Sequence, residues 1–134
     1  MKVKLVKVLK NKIIHNKKGS IYKFMNKSEK FFQGFGEIYF SEVKYKKMKG
    51  WNYHKKYTCI ITVPVGLVEF LIFDNRKKFL RRKISKNKIL IIPAKNWFAF
   101  KGLKKGSIVA NLINGKHSSK ETKKLSVVNN FKIT

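Results

Sequence analysis

Two prolines and eight glycines are all that punctuate this 134-residue chain, and they fall between short apolar runs. The runs are β-branched and aromatic, and no stretch keeps a 3.6-residue period for twelve residues. This spacing constrains the fold more than any other feature. Strands at roughly 8–12-residue intervals with turn signals between them read as an all-β sandwich or barrel. Strands are expected over residues 36–43, 67–74, 77–84, 88–93, 96–102 and 107–113, with 48–63 forming two strands or one bent one. Residues 3–8 and 20–25 are weaker strand candidates. The best short helix is 118–125, where Ser118 or Ser119 caps, Glu121 sits in the first turn and lysines close it. Residues 129–134 read as a frayed tail.

A chain of this length is one domain. Leu, Ile, Val and Phe make up about a third of it, above the roughly 20% of disordered chains, so a core is expected despite a net charge of +27. Cys59 is the lone cysteine, which excludes an intramolecular disulfide and a Cys-rich zinc site. Lysines allow no apolar run longer than two residues in MKVKLVKVLK, leaving no signal-peptide core. The longest apolar stretch, 59–73, contains Pro64, Gly66 and Glu69 and falls short of the roughly 20 residues of a membrane span. These features predict a cytoplasmic protein with no membrane span.

The chain has 33 basic residues against 6 acidic ones, which first suggests nucleic acid. Arginine, the better reader of phosphate and guanine, occurs only at Arg76, Arg81 and Arg82. The lysines are scattered as singles and doublets, and Lys, Asn and Ile, whose codons are A/T-rich, are abundant together. Nucleic acid is therefore disfavoured as a partner. A positive field still favours a small anionic substrate such as a nucleotide diphosphate.

Strand alternation places Ile38 and Phe40 on one face of 36–43 and Glu37, Tyr39 and Ser41 on the other. In Gly-Trp-Asn-Tyr-His-Lys-Lys (50–56), Asn52, His54 and Lys56 share one face; Trp51, Tyr53 and Lys55 share the other. An interior face with an imidazole, an amide and an ammonium suits a pocket better than a packed core, although half-buried strand histidines are common. Asp74 opens a turn and reads as structural, while Glu69 is either solvent-facing or orients a pocket group. The histidines, His15, His54 and His117, have no metal-ligand spacing, so no metal and no cofactor are expected. Phosphate-loop, dinucleotide and nucleophile-elbow motifs are absent.

Five segments in order carry a resemblance: GFGEIYFSEV (34–43), KGWNYHKK (49–56), VPVGLVEFLIFDNR (63–76), IIPAKNWFAFKGL (91–103) and IVANLING (108–115). Together they resemble the dTDP-4-dehydrorhamnose 3,5-epimerase family of cupin-like sugar-nucleotide enzymes. The resemblance implies a cupin jelly-roll β-barrel over residues 34–121 and N-terminal strands in 1–33 exchanged within a homodimer, with 122–134 as a tail. It also implies a metal-free site for a deoxynucleoside-diphosphate 4-keto sugar. Asn52 stands where the family has its base histidine, Cys59 near its lysine, Phe98 at a further histidine, and Ala110-Asn111 near its acid tyrosine. The related 3,4-ketoisomerases carry His-x-His where this chain has Asn52-x-His54.

Epimerisation beside a ketone needs a base, a group that stabilises the enolate, and an acid. His54 is assigned as the base, with Asn52 donating to the C4 oxygen. Lys56 or Lys49 stabilises charge on the enolate or the diphosphate. Tyr39, Tyr53 and Tyr57 are candidate acids, and Trp97 and Phe98 are candidates to stack on the nucleotide base. The expected catalytic set is His54, Asn52 and Lys56; the expected substrate-binding set is Lys49, Tyr39, Trp97, Phe98 and Asn111. The competing readings are a non-catalytic sugar-nucleotide binder, a 3,4-ketoisomerase and, less favoured, a basic nucleic-acid-binding barrel.

Overall fold

A computed structural model describes residues 4–116 and 118–125. Twelve strands occur in these residues: β1 (Lys7–Lys10), β2 (Ile13–Ile14), β3 (Ile21–Tyr22), β4 (Glu37–Val43), β5 (Met48–His54), β6 (Cys59–Val65), β7 (Val68–Phe73), β8 (Phe79–Ile84), β9 (Lys88–Ile92), β10 (Trp97–Gly102), β11 (Ser107–Ile113) and β12 (Thr122–Lys124). Two five-stranded sheets form, in the orders β1-β9-β6-β11-β4 and β12-β5-β10-β7-β8, with β2 and β3 pairing separately. All ladders between these strands are antiparallel. The stretch 48–63 resolves into two strands, β5 and β6, which lie in different sheets.

The inner faces of the two sheets meet in one core. Phe70, Ile72, Ile61, Leu90 and Ile92 are at most 1% exposed there, as expected for strands whose apolar residues recur with period two. The outer face of the first sheet is also apolar at Ile60, Ile89, Ile91 and Leu112. Phe24, Met25, Phe31 and Phe32 from the segment before β4 cover it. The edge strand β8 carries Arg81, Arg82 and Lys83, a charge pattern that discourages edge-to-edge pairing. Asp74 is structural, as expected from its turn: its Oδ1 accepts the Arg76 and Lys78 amides at 2.9 and 2.8 Å. Glu69 does not orient a pocket group; it is paired with Arg81 at 2.8 Å on the outer face.

The helix expected over 118–125 is not formed. A single turn closes on the Ser118 carbonyl, which accepts the Glu121 amide at 3.0 Å, and the chain then extends as β12 against β5. Eight residues cannot stabilise a helix by themselves, whereas the open edge of β5 offers backbone partners along its length. Residues 122–124 are therefore part of the second sheet rather than a tail. The expected frayed end at 129–134 and His117 lie outside the described residues.

Candidate active site

Strand β5 builds the site, and a break in its register shapes it. Phe98 pairs with Asn52, but Ala99 pairs with Gly50, so Trp51 is an extra residue without a partner on β10. This bulge lets Lys49 and Asn52, three residues apart, face the same interior. Trp51 turns outward onto Leu71, Ala99 and Trp97. Glycine is required at position 50. Its φ is +117°, and a Cβ there would meet the Ala99 Cα at 2.8 Å and the Phe98 carbonyl oxygen at 2.9 Å.

A pocket of about 300 Å³ opens between the sheets. Ile61, Phe70, Phe100 and Val109 form its apolar wall. Its polar groups are Tyr39 and Ser41 from β4, Asn52 from β5 and Asn111 from β11, with Lys49 and Lys124 as cations. No carboxylate among the described residues lines it. Asn111, 2% exposed, donates from Nδ2 to the Tyr39 hydroxyl oxygen at 3.0 Å, which leaves the phenolic proton free to point at a ligand. Burial, the neighbouring Cys59 and Glu37 push the Tyr39 hydroxyl above its ordinary value against the Asn111 hydrogen bond, so it stays protonated at neutral pH. The Lys49 ammonium donates to Ser41 Oγ at 2.6 Å and to the Glu42 carbonyl at 3.1 Å.

His54 lies on the same face of β5 as Asn52, is 7% exposed, and stacks on Phe98 with ring centroids 6.4 Å apart. Phe98 lines the pocket; His54 sits against it, outside the pocket's own lining. Glu121 Oε1 is 2.6 Å from His54 Nδ1, and Oε2 accepts the Lys56 and Tyr57 amides at 3.0 and 3.3 Å. Burial pushes the Glu121 carboxyl up. The hydrogen bond from His54, the two amides and the imidazole charge outweigh that and hold it below its ordinary value. A carboxylate can only accept, so when the imidazole is neutral its proton sits on Nδ1 and the Nε2 lone pair is free.

Of the eight residues expected from sequence, Asn52, Lys49, Tyr39, Phe98 and Asn111 line the pocket. His54 adjoins it. Lys56 and Trp97 do not belong to it. Lys56 is exposed beyond the end of β5, around a separate depression with Lys4, Lys55 and Lys95, because the strand ends at His54 and alternation stops there. Trp97 faces outward, 5.0 Å from the Tyr53 ring, because β10 turns Phe98 and Phe100 inward and its odd neighbours out. Glu121 and Lys124 were not singled out for the site from the sequence. Their one local signal is a lone carboxylate in the lysine run Lys-Glu-Thr-Lys-Lys.

In sequence the chain matches no family model and no curated protein; its likeness to known proteins lies in the fold. A dTDP-sugar isomerase from Desulfovibrio desulfuricans G20 superposes with a TM-score of 0.85 at 24% identity, over 90% of this chain and 83% of that one. The dTDP-4-dehydrorhamnose 3,5-epimerase of Bacillus anthracis, with TDP and pyrophosphate bound, gives 0.81 at 18% identity, over 90% and 78%. The sugar 3,4-ketoisomerase QdtA of Thermoanaerobacterium thermosaccharolyticum, in complex with TDP, gives 0.77 at 17% identity, over 94% and 88%. The fold is thus the cupin jelly roll shared by these sugar-nucleotide enzymes.

Proposed function

We propose that the chain is a nucleotide-sugar isomerase of the epimerase type. Its substrate is a dTDP- or other nucleoside-diphosphate 4-keto-6-deoxy sugar, in deoxysugar and polysaccharide biosynthesis. The observation that carries this reading is the Glu121-held His54 beside Asn52, against a pocket with two ammonium groups and no carboxylate. The chain also shares the fold of enzymes acting on such sugars.

In the proposed reaction His54 Nε2 removes the proton at C3, and the C–H electron pair flows into the C4 carbonyl as the enolate forms. Asn52 Nδ2 donates to the developing oxyanion, and the Tyr39 hydroxyl, set by Asn111, returns a proton to carbon. Lys49 takes the diphosphate rather than the enolate, since Ser41 and the Glu42 carbonyl hold its ammonium on the β4 side. Phe98 stays as a wall against which a ring can pack.

Two further parts of the proposal are the compartment and the assembly. No helix among the described residues is long and apolar enough to cross a membrane, and a cytoplasmic location fits a nucleotide substrate. Ile38 and Phe40 are 45% and 70% exposed on the outer face of the edge strand β4, an inverted pattern that suits burial in a homodimer. Light scattering at micromolar concentration tests it; a clean monomer of 15.7 kDa counts against the dimer.

The deciding experiment is incubation with a dTDP-4-keto-6-deoxy sugar in deuterated water, with C3 and C5 followed by NMR. Deuterium is expected at C3, and His54→Ala should slow its entry about 100-fold or more. Binding without exchange would make the protein a sugar-nucleotide binder. A thermal-shift panel in 0.15 M salt adds the other contrast: stabilisation by dTDP supports the reading, while stronger stabilisation by oligonucleotides overturns it.

A further inference from the structure

We infer that β12 couples anion binding to the seating of His54: Lys124 takes a phosphoryl oxygen of the ligand and thereby holds down the strand that carries Glu121. The phosphate identity of that anion rests on the proposed function; the coupling rests on the placement of β12.

Strand β12 is three residues long and lies at the edge of its sheet, with β5 as its one neighbour among the described residues. Thr122, Lys123 and Lys124 stand opposite His54, Tyr53 and Asn52. Alternation sends the two lysines to opposite faces. Lys123 turns outward, with its ammonium 5.0 Å from the Tyr53 ring centroid. Lys124 turns inward beside Asn52 and lines the pocket, with no ion pair or hydrogen bond among the described residues.

Lys49, the other pocket cation, is already held by Ser41 and the Glu42 carbonyl. With no carboxylate on the lining, two ammonium groups face one cavity, and an anionic ligand is what neutralises them. Two cations from different strands, Lys49 on β5 and Lys124 on β12, suit a ligand with more than one anionic group, such as a diphosphate.

Glu121 lies three residues before Lys124. The segment between them is fixed to β5 by the Lys55 amide on the Glu121 carbonyl at 2.8 Å and by the reciprocal Trp51–Leu125 pair at 2.9 and 3.1 Å. Lifting this edge removes Lys124 from the pocket and the carboxylate from His54 together. An anion that binds Lys124 in the docked state therefore favours the state in which Nδ1 of His54 is held. By linkage, the factor that Lys124 adds to anion affinity equals the factor by which the anion shifts the docked-to-undocked ratio.

The test compares the full chain with Lys124→Gln and, as a control on the same strand, Lys123→Gln. Calorimetry with dTDP is expected to show about a tenfold weaker Kd for Lys124→Gln, the size of one charge-assisted hydrogen bond, and no change for Lys123→Gln. Amide hydrogen exchange gives the coupling. Saturating dTDP should slow the Trp51, Lys55 and Leu125 amides in the parent and not in Lys124→Gln. Equal melting temperatures of the two variants without ligand show that both are folded. Equal dTDP affinity of parent and Lys124→Gln, or no slowing of those amides in the parent, overturns the coupling while leaving the isomerase reading standing. Lys124-dependent binding of inorganic pyrophosphate, with no binding of dTDP-sugar, leaves the coupling standing and overturns the isomerase reading.

Discussion

Replacing Glu121 by Gln tests the link between geometry and chemistry most directly. The carboxylate accepts on both sides: His54 Nδ1 at 2.6 Å from Oε1, and the Lys56 and Tyr57 amides at 3.0 and 3.3 Å from Oε2. An amide has one accepting oxygen and one donating nitrogen. The two backbone amides can only donate, so the glutamine oxygen must face them and its NH2 must face His54. Nδ1 then becomes an acceptor, and the imidazole proton moves to Nε2, the nitrogen assigned to take the proton. Deuterium exchange at C3 should fall about 10²–10⁴-fold, the range spanned by losing a general base and by a wrong-tautomer histidine. Stability should fall modestly, because every donor keeps a partner. Glu121→Ala leaves the buried His54 Nδ1–H without a partner, at about 1–3 kcal/mol, while the part-buried Lys56 and Tyr57 amides can turn to water at a smaller cost. The assay is NMR exchange together with the ¹⁵N shifts of the His54 ring, which report the tautomer. If Glu121→Gln flips the tautomer yet exchanges at the parent rate, His54 is not the base. If the tautomer does not change, the two-sided acceptor argument is wrong.

Acid should expose the same contacts. The folded Glu121 carboxyl lies below its unfolded value near 4.5, so its stabilisation is complete above that pH and fades as pH falls through the folded value. The stability gap between parent and Glu121→Gln, measured by urea unfolding, should therefore shrink below about pH 4.5; a gap that widens with acid would contradict this. Burial pushes the Cys59 thiol up to about 12, so iodoacetamide at pH 8 should leave it unmodified in the folded protein and label it fully in denaturant. Rapid labelling without denaturant would show the core to be open. Ile72, fully buried on the inner face of β7 and outside the pocket, should cost about 2–5 kcal/mol as Ile72→Ala, with dTDP affinity of the folded fraction unchanged.

Local pattern was enough for most of the fold. Short β-branched runs set apart by turn residues can bury one face only by pairing, and period-two alternation decides which residues share that face. Alternation also put Tyr39 with Ser41 and Asn52 with His54, and the structure keeps both pairings of face. The resemblance to sugar-nucleotide epimerases rested on ordered segments, and the fold agrees with it. What the tertiary structure alone decided is non-local. Whether Lys49 joins Asn52 depends on the bulge at Trp51, which arises from register against β10, some 47 residues away. Lys56 lies away from the pocket because alternation says which side of a strand a residue takes, not where the strand ends, and Trp97 lies away because adjacent residues of one strand cannot both face the pocket that Phe98 lines. The segment 118–125 shows the same limit. Its composition favours a helical turn, but the open edge of β5 supplies backbone hydrogen bonds to the segment at Glu121 and Leu125, on either side of β12, and eight residues of helix propensity cannot compete with a sheet edge. Glu121 reaches His54 across 67 residues of chain. Nothing local to either residue encodes that contact, because a hydrogen bond depends on position in space, which the two packed sheets determine together.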